Sequence, residues 1–567
     1  MKFEYRYHGH SEVSQDAAGA STMRFAPDTL RPPTHFVADV RQPLAFREAM
    51  AALHQVVVAD LRFKPKDRSV YFAWLQNQQA ELLAQFMARA EQLKAQIAPV
   101  QEELQALRKR KSAVMGPFFS ARQQYFSWLY QANKEAWFVL DPVITVHPDR
   151  VLFEAFSQDE SSYGLLSCEH GVFNAASDIA FGTTNVDYSD SLHAALQQVR
   201  DYRPLRLNID PSGFGVSTGQ LDGDWHEPKI DVPESWVRGF LQVSSAMTLP
   251  AVRLHLHPMD IHNIVLRLVR RRERVGPRSL RFILKPGEGV QIAFDPWGDV
   301  LQCPRSRHDA LEAREIRIWG RRRLQQLERL IPLASGFTVH LLGSGMPSFW
   351  QAHLPGMQFT LGLSGWSAND WSRQGNFSLL QPRQTLDAQT HTRVFAALAE
   401  RWVASTAVLC QATGLDSSTV TAALGLYVQA GRVLFDLGEA QSPLWRLREL
   451  TREPLPLDQL RYASVQEGQA VELVQARALS KVNTTQDGQY RVLTAVCKAS
   501  ISGSKTLALR LVLDNDQRIV DGRCECDYFF RNKLMRGPCE HLLGLRMAAD
   551  LQATPIVAQQ TEDGAHV

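Results

Sequence analysis

The chain has 567 residues, of which 45% are hydrophobic, 21% charged and 9% aromatic, and its formal net charge is +3. At about 150 residues per domain, this length predicts roughly four domains, and the composition excludes a mainly disordered or collagen-like chain. The sequence shows no membrane-spanning run, no apolar core of a secretory signal and only seven cysteines, so we expect a cytoplasmic protein without a disulfide scaffold.

The N-terminal part predicts a helical hairpin after a weakly patterned region at residues 1–70. Between Trp74 and Lys111, apolar residues recur at alternating steps of four and three, the heptad repeat of a helix with one apolar seam. Gly116-Pro117 ends this pattern, and Phe118–Trp137 resumes it. We therefore predict a coiled-coil hairpin at residues 71–140, either an arm that reaches a partner or a helical pair folded onto the body.

Residues 141–390 predict a strand-rich α+β region, because short apolar runs alternate with Gly, Pro, Asp and Ser turns. We expect a helix from Arg314 to Leu330 within it. The pattern as a whole predicts a multidomain α+β protein.

Residues 391–465 have the order of a winged helix. Helical patterns at Val394–Leu409 and Asp416–Ala430 precede strand-like pieces at Arg432–Leu437 and Leu444–Leu450. Asp416 is the expected N-cap of the second helix. That helix contains no Lys or Arg, so it is better suited to packing against protein than to reading base edges.

The last folded region, residues 466–551, contains the pattern that carries chemistry. Two runs, Tyr490–Ile501 and Thr506–Leu513, are predicted to be paired strands, and the second has apolar residues at alternate positions. They precede a turn at Asp521-Gly522, and residues 552–567 predict a flexible tail. After the turn the chain reads C-x-C-x12-C-x-H, with the candidate ligands Cys524, Cys526, Cys539 and His541.

These four residues predict a zinc site. Three thiolates and one imidazole complete the tetrahedral shell that Zn²⁺ prefers and leave no position for a catalytic water, so we expect one structural zinc ion. The alternative is that they are buried cysteines and a core histidine without metal. Three of the seven cysteines fall within 16 residues, which favours the zinc site.

The spacing resembles the SWIM zinc finger, and nearby runs resemble large bacterial proteins with that module. The upstream runs are Phe435-Asp436-Leu437, Leu447-Arg448-Glu449-Leu450 and Pro456-Leu457-Asp458. The similarity is specific from Gly431 to Asp550; earlier in the chain only Asp141–Val143 and Glu154–Glu160 give a general match. The resemblance implies an adaptor that binds protein or DNA partners and works with a MoxR-type AAA+ ATPase and a von Willebrand factor A domain protein.

Basic clusters keep nucleic-acid binding as the alternative function. Residues 263–329 hold 16 Lys and Arg against 8 Asp and Glu. The candidate phosphate contacts are Arg270, Arg271, Arg272, Arg321, Arg322, Arg323, Arg531, Lys533 and Arg536. Each could equally belong to a solvated helix face, and the aromatic residues Tyr528, Phe529 and Phe530 could either stack on bases or form the core of the metal module.

No catalytic constellation is found in the sequence, so we predict a non-enzymatic protein without a small-molecule substrate or a membrane contact. The absence of a Gly-Lys dipeptide excludes a P-loop. The G-x-S-x-G match at Gly215–Gly219 lacks the flanking strand and helix of a nucleophile elbow. We interpret Cys168 with His170, and His255 with His257, as structural residues. An enzyme within residues 141–390 is the third hypothesis.

Overall fold

A computed structural model gives the structure of the chain, and it divides the chain into two compact units, Met1–Ala59 with Leu140–Val567, and Asp60–Val139. The residues that it describes are 12–15, 21–25, 35–59, 106–107, 142–175, 178–185, 193, 196–197, 199–200, 205–209, 234–271, 278–308, 311–365, 370–372, 375–382, 386–438, 443–448, 450, 464–498 and 506–553. The coiled-coil hairpin predicted at 71–140 lies outside them, apart from two helical positions at 106–107. All the other described residues belong to the first unit.

The strands of this unit are given in chain order. They are β1 (Glu12–Gln15), β2 (Ser21–Phe25), β3 (Phe36–Val40), β4 (Val143–Val146), β5 (Arg150–Phe156), β6 (Ser162–Glu169), β7 (Phe173–Ala175), β8 (Gly182–Asn185), β9 (Leu205–Ile209), β10 (Val252–Leu256), β11 (Leu280–Leu284), β12 (Val290–Phe294), β13 (Asp299–Cys303), β14 (Arg307–His308), β15 (Arg314–Ile318), β16 (Gly336–Leu341), β17 (Ser348–Leu354), β18 (Met357–Leu363), β19 (Val403–Ala404), β20 (Val433–Asp436), β21 (Leu444–Leu447), β22 (Leu479–Asp487), β23 (Tyr490–Lys498), β24 (Thr506–Leu513) and β25 (Ile519–Arg523).

The helices are given in the same way. They are α1 (Pro43–Val57), α2 (Glu234–Met247), α3 (Pro258–Arg270), α4 (Ala388–Arg401), α5 (Thr406–Thr413), α6 (Ser417–Gln429), α7 (Val465–Gln475), α8 (Asp527–Asn532) and α9 (Glu540–Ala553), with 3₁₀ segments at His170–Val172, Arg321–Leu330 and Phe377–Leu380.

The described strands form five sheets. Their strand orders are β1-β2-β9-β3-β7, β14-β10-β16-β17-β18-β6-β5-β4-β8, β13-β12-β11-β15, β19-β21-β20 and β22-β23-β24-β25. Apart from the parallel pair β2–β9, neighbouring strands run antiparallel. The predicted mixture of helices and strands is confirmed.

The nine-stranded sheet lies at the centre of the unit and is covered on both faces. All seven residues of β18 are buried. On one face, a Cβ added at Gly164 of β6 would lie 2.9 Å from Leu53 of α1. On the other, Phe156 of β5 packs against Phe240 of α2 with ring centroids 4.8 Å apart. Because both faces are covered, the polar residues that alternate with apolar ones along β18, such as Gln358 and Thr360, are buried as well.

The predicted helix at Arg314–Leu330 is wrong in its first third. Residues 314–318 form β15, in which Ile316 and Ile318 are buried and the residues between them are more exposed. Gly320 then adopts the left-handed conformation, with φ 76°, and the 3₁₀ segment begins. Pairing with β11, rather than helix propensity, decides the local structure of residues 314–318.

Residues 388–447 form three helices and the three-stranded sheet. The single helix predicted at Val394–Leu409 is wrong, because α4 ends at Arg401 and α5 starts after the short strand β19. The residue after α4, Trp402, has a φ of 64°. Asp416 caps α6 as predicted, since its carboxylate accepts the Thr419 N–H at 2.9 Å. The pairing predicted between the two runs that became β23 and β24 is also present.

Candidate metal centre

The four predicted ligands come from the ends of three elements. Cys524 directly follows β25, Cys526 is the N-cap of α8, and Cys539 and His541 flank the start of α9. The predicted turn at Asp521-Gly522 is wrong: both residues lie inside β25, paired with Val512 and Leu511. The strand therefore runs straight to the first ligand.

The ligand atoms of Cys524, Cys526, Cys539 and His541 all lie within 4.8 Å of one another. Zn–S bonds of ~2.3 Å imply a tetrahedron with edges of about 3.8 Å, so a metal ion fits among the four atoms with small adjustments. Cys524, Cys539 and His541 are at most 5% exposed. The cluster could therefore hold one metal ion in a closed shell.

Backbone donors support thiolate sulfur at this site. The Phe529 N–H donates to Cys526 Sγ at 3.3 Å, and Leu542 N–H donates to the Cys539 sulfur. Both sulfurs thus sit at helix N-termini, where N–H groups and the helix dipole favour negative charge.

Hydrogen bonds among the three cysteines shift their pKa values in opposite directions. Bonds with Cys524 and Cys539 hold the pKa of Cys526 well below its usual range, and the corresponding bonds with Cys524 and Cys526 raise the pKa of Cys539. Binding of a metal ion would deprotonate all three thiols, because a metal ion binds cysteine as the thiolate.

The segment that carries the cluster, from Arg518 to the end of α9, is called the metal module, and the rest of the unit is called the body. Specific contacts join the two. Arg546 Nη1 of α9 donates to the Gln381 carbonyl at 2.8 Å, and Arg518 Nη1, before β25, donates to the Thr248 carbonyl at 2.9 Å. Gly537 approaches residue Asn376 so closely that a Cβ would lie 2.5 Å from its carbonyl oxygen. The metal module is therefore packed against the body.

A groove of about 1560 Å³ follows one side of this module. It is lined by every residue of β25, by Phe529 of α8 and Lys533 directly after that helix, and by Pro250, Leu342 and Met346 of the body. The groove also contacts residues of β23 and β24, and β25 is the edge strand of this sheet, with a strand partner on one side only among the described residues.

The predicted phosphate contacts are dispersed in the structure. Arg270 and Arg271 are exposed, Arg322 is half-buried, and Arg272 lies outside the described residues. Arg271 pairs with Asp299. Arg270 and Arg271 are therefore accessible to solvent, and the carboxylate of Asp299 partly neutralises the charge of Arg271.

Arg321 and Arg323 are buried, which contrasts with the prediction that they contact phosphate. Their exposed fractions are 3% and 4%. Arg321 Nη1 donates to the Ser279 carbonyl at 2.9 Å, and its guanidinium lies 4.7 Å from the Trp297 ring centroid. These side chains lack the solvent access that a phosphate contact requires.

The aromatic residues of the module divide between the two predicted roles. Phe529 is buried in the core, and Tyr528 is half-buried and donates to the Arg536 carbonyl at 3.1 Å. Phe530, in contrast, is 77% exposed, and Lys533 Nζ lies 5.6 Å from its ring centroid. Arg531 and Lys533 are exposed, whereas Arg536 is half-buried.

The weaker histidine motifs do not form a second metal cluster in the described part of the chain. Cys168 is fully buried in β6, and His170 Nε2 bonds to the His147 carbonyl at 2.7 Å. His257 caps α3 by accepting the Met259 N–H. The structural interpretation of Cys168 and His257 agrees with these contacts.

Among the helices that the structure describes, none has both the length and the apolar character needed to cross a membrane.

Comparisons with known proteins do not assign the chain to a family. No protein-family model matches the chain, and no curated protein matches it in sequence. One similar solved structure is the proliferating cellular nuclear antigen of Entamoeba histolytica, 8% identical, with a TM-score of 0.33, where the match covers 59% of this chain and 99% of that chain. A likeness with so low a TM-score carries no argument.

Proposed function

We propose that the chain is a non-enzymatic, zinc-dependent adaptor of the SWIM type. The observation that carries the proposal is the buried Cys3His cluster, whose four ligand atoms lie within 4.8 Å of one another. Zn²⁺ suits this donor set, and four protein ligands leave no open position for substrate or water. The ion would therefore act by stabilising the module at Cys524–His541.

The groove beside the module supports binding of a protein partner. An extended peptide can add to an exposed sheet edge through main-chain hydrogen bonds, while pockets beside the edge select its side chains. Here β25 supplies the edge, and Leu342, Met346 and Phe529 supply apolar walls. By the resemblance of the sequence, the partners are a MoxR-type AAA+ ATPase and a von Willebrand factor A domain protein in the cytoplasm.

Nucleic-acid binding is the second candidate function, and the exposed Phe530 favours it. An exposed aromatic ring beside Arg531 and Lys533 is the combination that stacks on bases and contacts phosphates of single strands. The absence of basic residues from α6 argues against base reading by the three-helix unit.

Metal content tests the zinc site. Purified wild-type protein should contain one zinc per chain by plasma emission, and Cys539→Ser should contain almost none. Cys410→Ser is the matched control, because Cys410 is a half-buried thiol of α5 outside the cluster. A zinc-free wild type, or unchanged zinc in Cys539→Ser, contradicts the proposal.

Site-specific crosslinking separates the two functions. A photo-crosslinking residue at the exposed Asp521 of β25 should capture a purified MoxR-type ATPase or von Willebrand A protein from the same genome, whereas the same residue at the exposed Arg477 should not. Equal capture at both positions rejects the groove as the docking surface. Tight single-stranded DNA binding that Phe530→Ala abolishes favours the second function instead.

A further inference from the structure

A second cavity, of about 250 Å³, lies between the nine-stranded sheet, the end of α2, the β20–β21 hairpin and Arg518. Its floor consists of alternate residues of three neighbouring strands. Arg253 of β10 stands opposite His340 of β16, and Thr338 of β16 stands opposite Gln351 of β17. These side chains therefore share one face of the sheet.

The floor carries a hydrogen-bond donor without a partner. Gln351 is 1% exposed, and its Oε1 accepts from His340 Nε2 at 3.0 Å. Its Nε2 is buried and has no hydrogen-bond partner among the described residues. A buried amide donor is normally satisfied, so this atom indicates that an acceptor occupies the cavity.

The charge of the lining specifies that acceptor. The lining residues include no acidic side chain, whereas they include Arg253 and Arg518. Arg518 is already paired with Asp514 and Asp516, both at 2.8 Å. Burial, with the charge of Arg253 as a smaller contribution, lowers the pKa of His340 to about 4, so its imidazole is neutral at pH 7. Arg253 and Arg518 together therefore give the lining its positive charge, and Arg253 is the one of the two on the floor of the cavity.

Apolar side chains form the remaining walls. Leu249, Phe349, Phe435 and Leu437 face the same space. At ~30 Å³ per water molecule, 250 Å³ corresponds to about eight waters, slightly below the ~300–1,000 Å³ of common ligand pockets. The space suits a ligand with one ring or a short alkyl chain.

We propose that this cavity binds a small organic anion, a carboxylate on an apolar body, with Gln351 and Arg253 holding the carboxylate. The ligand would contact the body sheet, the hairpin and the metal module at once. Its binding would therefore stabilise the packing of the three against each other, because a ligand that binds only the folded state adds to the free energy of unfolding.

Isothermal titration calorimetry on the full-length, zinc-loaded chain tests the proposal with benzoate, hexanoate and benzamide. At least one of the two carboxylates should bind saturably with one site per chain. Benzamide, the neutral analogue of benzoate, should bind at least about tenfold more weakly than the carboxylate that binds, because it lacks the charge-assisted bonds.

Variants assign the contacts. Gln351→Glu keeps the acceptor for His340 but presents a carboxylate to the ligand, and Arg253→Gln removes the positive charge from a half-buried position. Each should weaken binding at least about tenfold while the zinc content stays at one. Arg307→Gln, on the neighbouring strand β14 and outside the lining, is the control and should bind as wild type.

Three results would overturn the proposal. They are the absence of saturable binding by either carboxylate, equal affinity for benzoate and benzamide, and unchanged affinity in Arg253→Gln. Each would mean that water fills the cavity and satisfies Gln351. Because zinc content is measured in the same samples, failure here is distinguishable from failure of the metal site.

Discussion

A buried ion pair joins Arg448, the residue directly after β21, to the central sheet. Arg448 and Glu154 are both fully buried, with Arg448 Nη1 donating to Glu154 Oε1 at 2.8 Å. Tyr163 donates to the same oxygen at 2.7 Å, and the Arg448 guanidinium lies 4.4 Å from the Phe240 ring centroid. Both residues lie in runs that resemble the SWIM-domain proteins, but 294 residues separate them, so the sequence does not indicate that they pair.

Breaking this pair should cost much more than breaking a surface pair. Arg448→Met leaves the Glu154 carboxylate buried without its cation, and we expect a loss of about 3–5 kcal/mol in the free energy of unfolding. Adding Glu154→Gln to Arg448→Met should recover part of it. Arg401→Met, which removes the exposed pair with Glu400, should cost less than about 1 kcal/mol. Urea denaturation measures all three, and a cost for Arg448→Met equal to that of the surface pair would contradict the role of the buried pair.

Gly537 offers a second test at this scale. Its φ of 89° and its approach to Asn376 both exclude a side chain. Gly488 also has positive φ, 58°, but open space around it. Gly488→Ala should therefore cost only the conformational penalty of about 1–2 kcal/mol. Gly537→Ala should cost more and should also lower zinc content, since Gly537 lies two residues before Cys539. Equal stability and zinc content in the two variants would show that the contact with Asn376 is unimportant.

At the scale of elements, the sequence predicts those helices and strands whose signal lies within a few consecutive residues. The alternation in β24 and the capping of α6 by Asp416 are visible in short windows, and both are present. The errors at residues 314–318 and 402 arise where tertiary contacts override the local pattern. β15 is a strand because it pairs with β11, and α4 ends where β19 joins β21. Neither pairing leaves a signal within the segment itself.

The cap of α6 makes a pH-dependent prediction. Hydrogen bonds from Ser418, and then from Thr419, lower the pKa of Asp416 to about 2. Since the unfolded value is near ~3.9, the stabilisation is fully present above that pH and is lost as pH falls towards 2. Asp416→Ala should cost about 1 kcal/mol at neutral pH. Asp416→Asn should retain most of the cap but lose this acid dependence. Thermal unfolding of the wild type and both variants across pH 2–5 measures the difference. If the melting temperatures of wild type and Asp416→Asn fall in parallel as the pH is lowered, the mechanism is rejected.

At the scale of the whole molecule, the metal module is predicted to stabilise more than itself. Removing zinc with a chelator should expose α9 and β25 to hydrogen exchange, because ligand binding supplies folding free energy to such sites. The loss of protection should extend to residues 376–381, which contact Gly537 and Arg546. Helix α1, which packs on β6, should stay protected. Confinement of the change to residues 519–553 would show that the contacts with the body are weak.

How much the sequence revealed depends on the distance between the residues concerned. The metal ligands lie within 18 residues and form a recognisable spacing, so the cluster was predicted in full. The cavity of Arg253, His340 and Gln351 combines strands with segments from several parts of the chain, and each residue alone looks ordinary. The signal that was available, polar residues at alternate positions in otherwise apolar strands, gave no indication of which strands would be neighbours.

The position of the first described strands has a consequence for how the protein is made. Strand β3 pairs with β9, and α1 packs on β5, β6 and the 3₁₀ segment that ends at Leu330. A ribosome that has released α1 must therefore add more than 110 residues, roughly 6–22 s at ~5–20 residues per second, before β6 exists, and more than 270 residues before the 3₁₀ segment is complete. Until β6 is made, the apolar face containing Leu53 and Val56 has no native partner, since both side chains lie against Gly164. We expect nascent chains stalled before Ser162 to bind chaperones through residues 43–57, and Leu53→Ser to reduce that capture; stalled chains captured equally well with Leu53→Ser would contradict it.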